Sequence, residues 1–355
     1  MNKLPLASPP RNICIVRLSA LGDVIHAVPV LRAIQDQWPE TRVTWITSPL
    51  EHKLLSLIDG LRYLVVDKKS GWPGYLRLRR ELAGERFDVM LQMQTSLRAN
   101  ITGACVSADI KLGWDKRRAR DLHRLFMTHS VPPARFEHQL QGHLSFARSI
   151  GLDVQQPRWD FPITEDAAAF VAQQIPDGQR VLVISPCSSH PARNWRPERY
   201  AAVADYAAER HGIYIVLSGG PSKIEADFGA AISAATKAPV NNLIGRDTLP
   251  QLVALLQRAD LVLCPDSGPS HLANALATPV IALHASTWSR RSGPYDSLEL
   301  CVDRFAEAAR KYRGKAPEEL RWGTRIENPG VMDLIEVEDV IERLEFALGR
   351  LQNRP

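Results

Sequence analysis

The 355-residue sequence contains no apolar run of the roughly 18 residues that a membrane span requires. Its opening, MNKLPLASPPRN, lacks the apolar core of a signal peptide, so a chain working in the cytoplasm, dissolved or resting on a membrane surface, is expected. The five cysteines, Cys14, Cys105, Cys187, Cys264 and Cys301, are dispersed without C-x-x-C spacing. Such an odd set argues against a disulfide framework or a zinc site and reads as reduced thiols. Low-complexity tracts, helix-turn-helix signals and zinc motifs are missing too. The first loop after a strand carries one glycine, Gly22, where a dinucleotide fingerprint needs three, and the acid expected after the second strand is not clear, since Glu51 falls in an apparent loop. A nicotinamide dehydrogenase is therefore disfavoured.

What is present describes an ordinary folded protein, 45% hydrophobic and 23% charged. The chain is about twice the usual domain length, which favours two domains. A net charge of +5 suits an anionic partner without saying which: a phosphorylated substrate, acidic lipid headgroups or nucleic acid.

From Asn12 onward, short apolar runs (NICIVRL, RVTWITS, LRYLVVD, FDVMLQMQ, DIKLGW) alternate with helical patterns such as VIHAVPVLRAIQDQW. This is the signature of βαβ units and a parallel sheet. After the polar, proline-containing stretch Val154 to Phe170 the rhythm restarts with RVLVISP, IYIVLSGG, DLVLCPD and TPVIALH. The boundary is placed near Pro162 to Asp166, giving a domain of residues 1–165 and another of residues 166–355. Beyond this rhythm no sequence repeat is evident. The terminal EVEDVIERLEFALGRLQ has helical spacing and suits packing on either domain. The expected class is α/β, two Rossmann-like doubly wound domains that bind ligands in a central cleft at the carboxyl ends of their strands.

Several stretches carry chemistry. In CPDSGPSHLANALA a strand ends at Pro265 and a helix begins near Ser267, bringing Asp266, Ser267, Gly268 and His271 to the bend. A helix start offers unpaired amides and a positive dipole end to a phosphate, while the plainer reading makes Asp266 or Ser267 an N-cap and His271 a packed helix residue. Arg193, in SPCSSHPARNWRPERY, suits bidentate pairing with phosphate, although a solvated loop charge explains it equally simply. In VLSGGPSKIEAD, Glu225 reads either as compensation of a helix dipole or as an acceptor for ribose hydroxyls. Asp23, in RLSALGDVIHAVP, reads as the N-cap of a helix beginning at Val24 or as a general base for an acceptor hydroxyl. Lys116, Arg117, Arg118, Arg120 and Arg124, with Arg98 upstream, read as a solvated helix face or as a receiver of anionic lipid headgroups. They lack the interleaved aromatics of a single-strand groove, so nucleic acid is not expected.

These pieces in this order resemble the bacterial heptosyltransferases of glycosyltransferase family 9. The resemblance rests on RLSALGDVIHAVPVLRAI, SPCSSHPARNWRPERY, LSGGPSKIEAD and the long stretch NNLIGRDTLPQLVALLQRADLVLCPDSGPSHLANALATPVIALH, and covers roughly Arg11 to Tyr295. It implies a GT-B fold, with an N-terminal acceptor domain and a C-terminal nucleotide-sugar domain. It further implies inverting transfer of heptose from ADP-heptose to the inner core of lipopolysaccharide, with the ADP-sugar as co-substrate, no cofactor and no metal. Asp23 would be the base. Arg193 would contact the diphosphate, where many members carry lysine, with Arg196 inserted between Trp195 and Pro197. The family's D-[ST]-G-x-x-H falls on Asp266, Ser267, Gly268 and His271, its acid on Glu225, and its adenine-facing segment on Asn242, Leu243, Ile244 and Gly245. Arg98, Arg117, Arg118, Arg120 and Arg124 would face the acceptor, at the cytoplasmic side of the inner membrane. Two rivals stay open: a GT-B glycosyltransferase or epimerase using another nucleotide sugar, and a nucleotide-sugar-binding protein without turnover.

Overall fold

The computed structural model describes residues 3–352. It separates into two compact units, with the division between Pro162 and Ile163.

The first unit holds strands β1 (Asn12–Val16), β2 (Arg42–Thr47), β3 (Arg62–Val65), β4 (Phe87–Gln92), β5 (Ala108–Gly113) and β6 (His129–Ser130). All pair in parallel, in the order β3-β2-β1-β4-β5-β6. Helices α1 (Leu21–Gln37), α2 (Pro49–Leu55), α3 (Gly71–Glu81), α4 (Leu97–Ala104) and α5 (Gln139–Ile150) cover the sheet. Because helices cover both faces, the central strands are apolar without alternation: Ile13, Cys14, Ile15 and Val16 are all fully buried. The order of the strands reverses at β1, which lies between β2 and β4, so the loops leaving β1 and β4 diverge there. Such a switch point leaves an open crevice at the strand ends.

The second unit repeats this wiring. Strands β7 (Val181–Ile184), β8 (Tyr214–Leu217), β9 (Val240–Asn242), β10 (Leu261–Pro265), β11 (Val280–His284) and β12 (Val302–Asp303) pair in the order β12-β11-β10-β7-β8-β9. Counted from its own first strand, this is the order of the first sheet. Its helices are α6 (Glu165–Gln174), α7 (Pro197–His211), α8 (Lys223–Ala235), α9 (Leu249–Arg258), α10 (Gly268–Ala275), α11 (Ser289–Ser292), α12 (Phe305–Arg313) and α13 (Val337–Gln352). The terminal helix α13 packs in this unit, where Val340, Leu344, Ala347 and Leu348 join the core that holds Trp195, Tyr200 and Val203.

Part of the polar stretch before the boundary belongs to the first unit. Trp159 is buried, its indole donates to Ile25 O (2.9 Å), and Arg32 Nε donates back to Trp159 O (2.9 Å), tying residues 158–161 onto α1.

Candidate active site

Each unit gathers a polar cluster at the carboxyl ends of its central strands. In the first, β1 ends at Val16 and Arg17 follows, its backbone N–H still donating to Ile46 O (3.2 Å). That last ladder bond turns the guanidinium under the strand ends, where Nη1 donates to Met93 O (2.5 Å) and Nη2 pairs with Asp23 Oδ2. Gln139, the first residue of α5, donates from Nε2 to Asp23 Oδ1. Arg17 is 8% exposed and Asp23 25%, so the cation lies beneath and the carboxylate opens to solvent. Burial lowers the Arg17 pKa, and Asp23 opposes that shift.

The capping reading of Asp23 is overturned. α1 begins at Leu21, three residues earlier than expected, because Ala20 takes the extended N-cap geometry and Val24 N already donates to Ala20 O (3.0 Å). Asp23 therefore sits within the first turn, and its carboxylate is committed to Arg17 and Gln139.

Around this pair lie three histidines. The His26 ring stands 6.0 Å from His138 and 5.9 Å from His143. His143 Nδ1 donates to Gln139 O (2.9 Å), and burial, with Arg17 nearby, brings its pKa down to about 4, so it is neutral at physiological pH. Arg98, in the first turn of α4, donates to Ser19 Oγ (3.1 Å) at the rim of the same cluster. Glu51 is buried in α2, and burial pushes its carboxyl up against the opposing charges of Arg98 and Arg17.

The basic run corrects a second expectation. It forms turns and a short 3-10 segment, His123–Phe126, rather than a helix face. Arg118 is spent on scaffolding: its fork engages Asp115, Glu137 (2.9 Å) and Pro132 O (2.7 Å), with its guanidinium 4.7 Å from the Trp114 ring centre. Arg117, Arg120 and Arg124 are exposed.

In the second unit Asp266 follows β10, Ser267 is the N-cap of α10, and Gly268 is its first residue. Pro269 has no N–H, so the amides of Gly268 and Ser270 are the first-turn donors there. The buried Asp266 carboxylate is ringed by donors: Ser292 Oγ at 3.3 Å, Arg193 Nη1 at 3.8 Å and His271 Nε2 at 3.9 Å. Burial alone would raise its pKa, yet His284, His271 and Arg193 together hold it below the ordinary carboxylate value. The solvated-charge reading of Arg193 thus fails. Its side chain is 11% exposed, carried by a short 3-10 turn (Pro191–Arg193) from the loop after β7 to the loop after the neighbouring β10. Arg193 Nε, His284 Nε2 and Ser286 Oγ are buried without a hydrogen-bond partner among the described residues.

The glycine turn after β8 stands against α8. A Cβ on Gly220 would lie 2.8 Å from Glu225 Oε2, and one on Gly219 would lie 3.3 Å from Ile244, so the bare backbone is what admits both side chains. Glu225 has a capping partner in Ser222, whose hydroxyl donates to Oε2 (2.9 Å). Gly245, at φ +74, donates to Gly219 O (2.9 Å), closing the segment Asn242 to Gly245 onto the same turn. Asn242 Oδ1 accepts from Ile244 N (3.1 Å), while Leu243 is buried, leaving Asn242, Ile244 and Gly245 for any ligand. Arg196 is exposed and bound to Asp333 by two hydrogen bonds (2.6 and 2.5 Å).

Sequence reasoning missed several members. Arg17 stood in the quoted motif, six residues before Asp23, and an arginine closing a buried strand was a usable signal. Gln139 opens α5, His284 closes β11, Ser292 closes α11, and Asp247 and Thr287 lie in loops; only the folded sheets bring them to the strand ends, and no local pattern marks them. Asp247 accepts from Ser218 Oγ (3.3 Å), and burial, with Glu225 adding to it, raises its pKa to about 6. Among the described residues no group of three or more His, Cys, Asp or Glu side chains is arranged to hold a metal ion, and no helix is long and apolar enough to cross a membrane.

Comparison with known proteins gives one direction. The profile described as glycosyltransferase family 9 (heptosyltransferase) matches residues 75–321. The lipopolysaccharide core heptosyltransferase OpsX of Haemophilus influenzae is 38% identical over 336 residues, covering 95% of this chain and 96% of that one. Lipopolysaccharide heptosyltransferase 1 of Escherichia coli K12 is 23% identical, over 81% of this chain and 92% of its own. Among solved structures, a family 9 glycosyl transferase from Veillonella parvula superposes with a TM-score of 0.79 at 20% identity, covering 96% of this chain and 98% of that one. E. coli heptosyltransferase WaaC with ADP superposes with a TM-score of 0.73 at 21% identity, covering 95% and 99%. The expected GT-B architecture is the one shared with these structures.

Proposed function

This chain belongs to glycosyltransferase family 9, and from that membership we propose that it transfers heptose from ADP-heptose to a hydroxyl of the lipopolysaccharide inner core, on a Kdo- or heptose-bearing acceptor. Its relative OpsX bears the name of a lipopolysaccharide core heptosyltransferase, and the fold is shared with WaaC, whose structure was solved with ADP. The observation that carries the reading is the meeting of Arg193 with Asp266 at the start of α10, a buried guanidinium brought from one strand end to the amino end of a helix on the next. Unpaired amides and a buried cation together form a receptor for a diphosphate.

The mechanism is a single displacement. Asp23 accepts the proton of the acceptor hydroxyl as its oxygen bonds to the anomeric carbon. The bond from that carbon to the β-phosphate oxygen breaks on the opposite face, and ADP leaves with the electron pair, so configuration inverts. Arg193 and the Gly268 and Ser270 amides take up the charge that grows on the leaving phosphate, the task a metal ion performs in other transferases. Asp266 and His271 line the same bend, with Ser267 as its cap. Glu225 accepts from the ribose hydroxyls, and the segment Asn242 to Gly245 lies along the adenine. Arg98, with Arg117, Arg120 and Arg124, receives anionic groups of the acceptor; Arg118 is left out of this set because its fork is occupied. The working place is the cytoplasmic face of the inner membrane.

The test is ADP release from ADP-heptose, using deacylated core acceptors that bear no heptose, one or two. Release with one acceptor, abolished by Asp23→Ala with ADP binding intact, is expected. Absence of release with every acceptor overturns the reading. Arg193→Ala is expected to weaken ADP strongly and adenosine little; equal losses remove Arg193 from the diphosphate.

A further inference from the structure

The face of the first unit formed by α3, the start of α4 and the loop after β5 presents apolar side chains outward among cations. On α3, Leu78 points to the core with Leu82 beyond it, while Trp72 (66% exposed) and Leu76 (44%) stand four residues apart on the opposite side. Residues 67–81 carry five cations against two carboxylates. The loop of residues 115–126 repeats that balance, five against two, and exposes Leu122 (68%), between Arg120 and Arg124, and Leu125 (78%), directly after Arg124. The two patches are joined through α4. Cys105, just past its end, hydrogen-bonds Tyr75 O of α3 (3.9 Å), while at its start Leu97, itself 53% exposed, donates from its backbone to Asp121 Oδ2 (3.0 Å).

A single exposed leucine is ordinary, but a connected set rimmed by lysine and arginine marks a surface made to be covered. Trp72, Leu122 and Leu125 project with about two thirds or more of their surface free, so they suit entry into a soft layer rather than reception of a partner's knob. Tryptophan and arginine are the side chains that settle at a headgroup boundary, the ring in the apolar edge and the charge on lipid phosphate.

We propose that this face docks on an anionic lipid surface, with Trp72, Leu76, Leu122 and Leu125 entering the headgroup layer while Lys68, Lys69, Arg79 and Arg80 pair with lipid phosphates. The proposal deepens the working place assigned above and rests on that reading for its purpose, though the binding itself is tested without it.

The experiment is flotation of the full chain with vesicles of phosphatidylcholine alone or mixed with phosphatidylglycerol. The wild type is expected to float with the mixed vesicles and to be released by rising salt. Trp72→Ser with Leu76→Ser, and separately Arg79→Glu with Arg80→Glu, are each expected to lower the bound fraction about tenfold or more, with ADP binding unchanged as proof of folding. Brominated lipid should quench wild-type tryptophan fluorescence and quench Trp72→Ser much less. Absent flotation at low salt, equal flotation of the variants, equal binding to neutral vesicles, or a dimer that the Trp72→Ser, Leu76→Ser variant dissolves would each overturn the proposal. Vesicle binding without heptose transfer removes the assigned reaction and leaves the surface standing. Transfer to deacylated acceptor without vesicle binding does the reverse.

Discussion

Arg17 and Asp23 form an ion pair across the first turn of α1, with the cation enclosed beneath and the carboxylate facing out. A buried cation beside a carboxylate favours its ionised form, and two donors on two oxygens fix its direction while leaving lone pairs for a substrate hydroxyl.

Replacing the cation should therefore shift the acid limb of the rate profile. In Arg17→Met the acid limb of kcat/KM is expected to move to higher pH as Asp23 loses its counter-charge, while Arg17→Lys moves it less. A fall in kcat at all pH values with the limb in place would make Arg17 merely structural. Asp23→Asn, inactive at every pH, is the companion control.

Asp266 offers a stability test in the second unit. Its folded pKa is depressed, so its contribution is present above the ordinary carboxylate range and is lost as pH falls through the folded value. Asp266→Ala leaves Arg193 buried without its counter-ion and is expected to cost about 3 to 5 kcal/mol. Urea unfolding at neutral pH reads this directly, and Asp266→Asn, which keeps a hydrogen-bonding group for Ser292, is expected to lose less.

Asp247 has the opposite sign. With a folded pKa raised to about 6, the native state holds a proton that the unfolded chain has already released, so stability declines as pH rises from the ordinary carboxylate range to about 6. Asp247→Asn should be more stable than wild type at pH 7.5 by about 1 to 2 kcal/mol, an amount discounted for residual solvent, and equal to it near pH 3.5. Denaturant midpoints at the two pH values measure the difference.

His123 controls acid sensitivity in the first unit. Trp114 N donates to its Nε2 (3.0 Å), so the ring proton sits on Nδ1 and is given to Asn100 Oδ1 (2.8 Å). A second proton would face the Trp114 N–H, and burial lowers the pKa to about 4. The unfolded chain takes up that proton near pH 6.5, so stability falls by about 2 to 3 kcal/mol between pH 6.5 and 4. His143 behaves alike, and His123→Gln, whose amide can make both bonds, should reduce the loss of stability measured by thermal unfolding across that interval.

The long central strands were legible because burial on both faces leaves an unbroken apolar run, as in NICIV and LVLCP. The edge strands β6, β9 and β12 were not, since two or three residues carry no period. The bend at Asp266 was readable from the turn from strand to small-residue helix, and the amino end of α10 falls where that turn places it. The start of α1 was misread because Ala20 caps it with backbone geometry alone, leaving no Ser, Thr, Asn or Asp to signal the end. The helical reading of the basic run failed for another reason: Asp115, Glu137 and Pro132 hold Arg118 in a turn, and two of those three partners lie well beyond the run. Partners such as Gln139 for Asp23, or Asp333 for Arg196, lie more than a hundred residues away and meet only once the unit that holds them is folded.

The shared strand order also sets a timetable for synthesis. β1 lies at the centre of its sheet, but the neighbour that closes its second edge is β4, which ends at Gln92. A chain leaving the ribosome therefore carries an open apolar strand edge until some eighty residues more have emerged, and β7 waits as long for β10. Each half must be shielded or kept loose through that interval, so the vulnerable moments in this protein's life come twice, once per sheet, before either polar cluster has a floor to stand on.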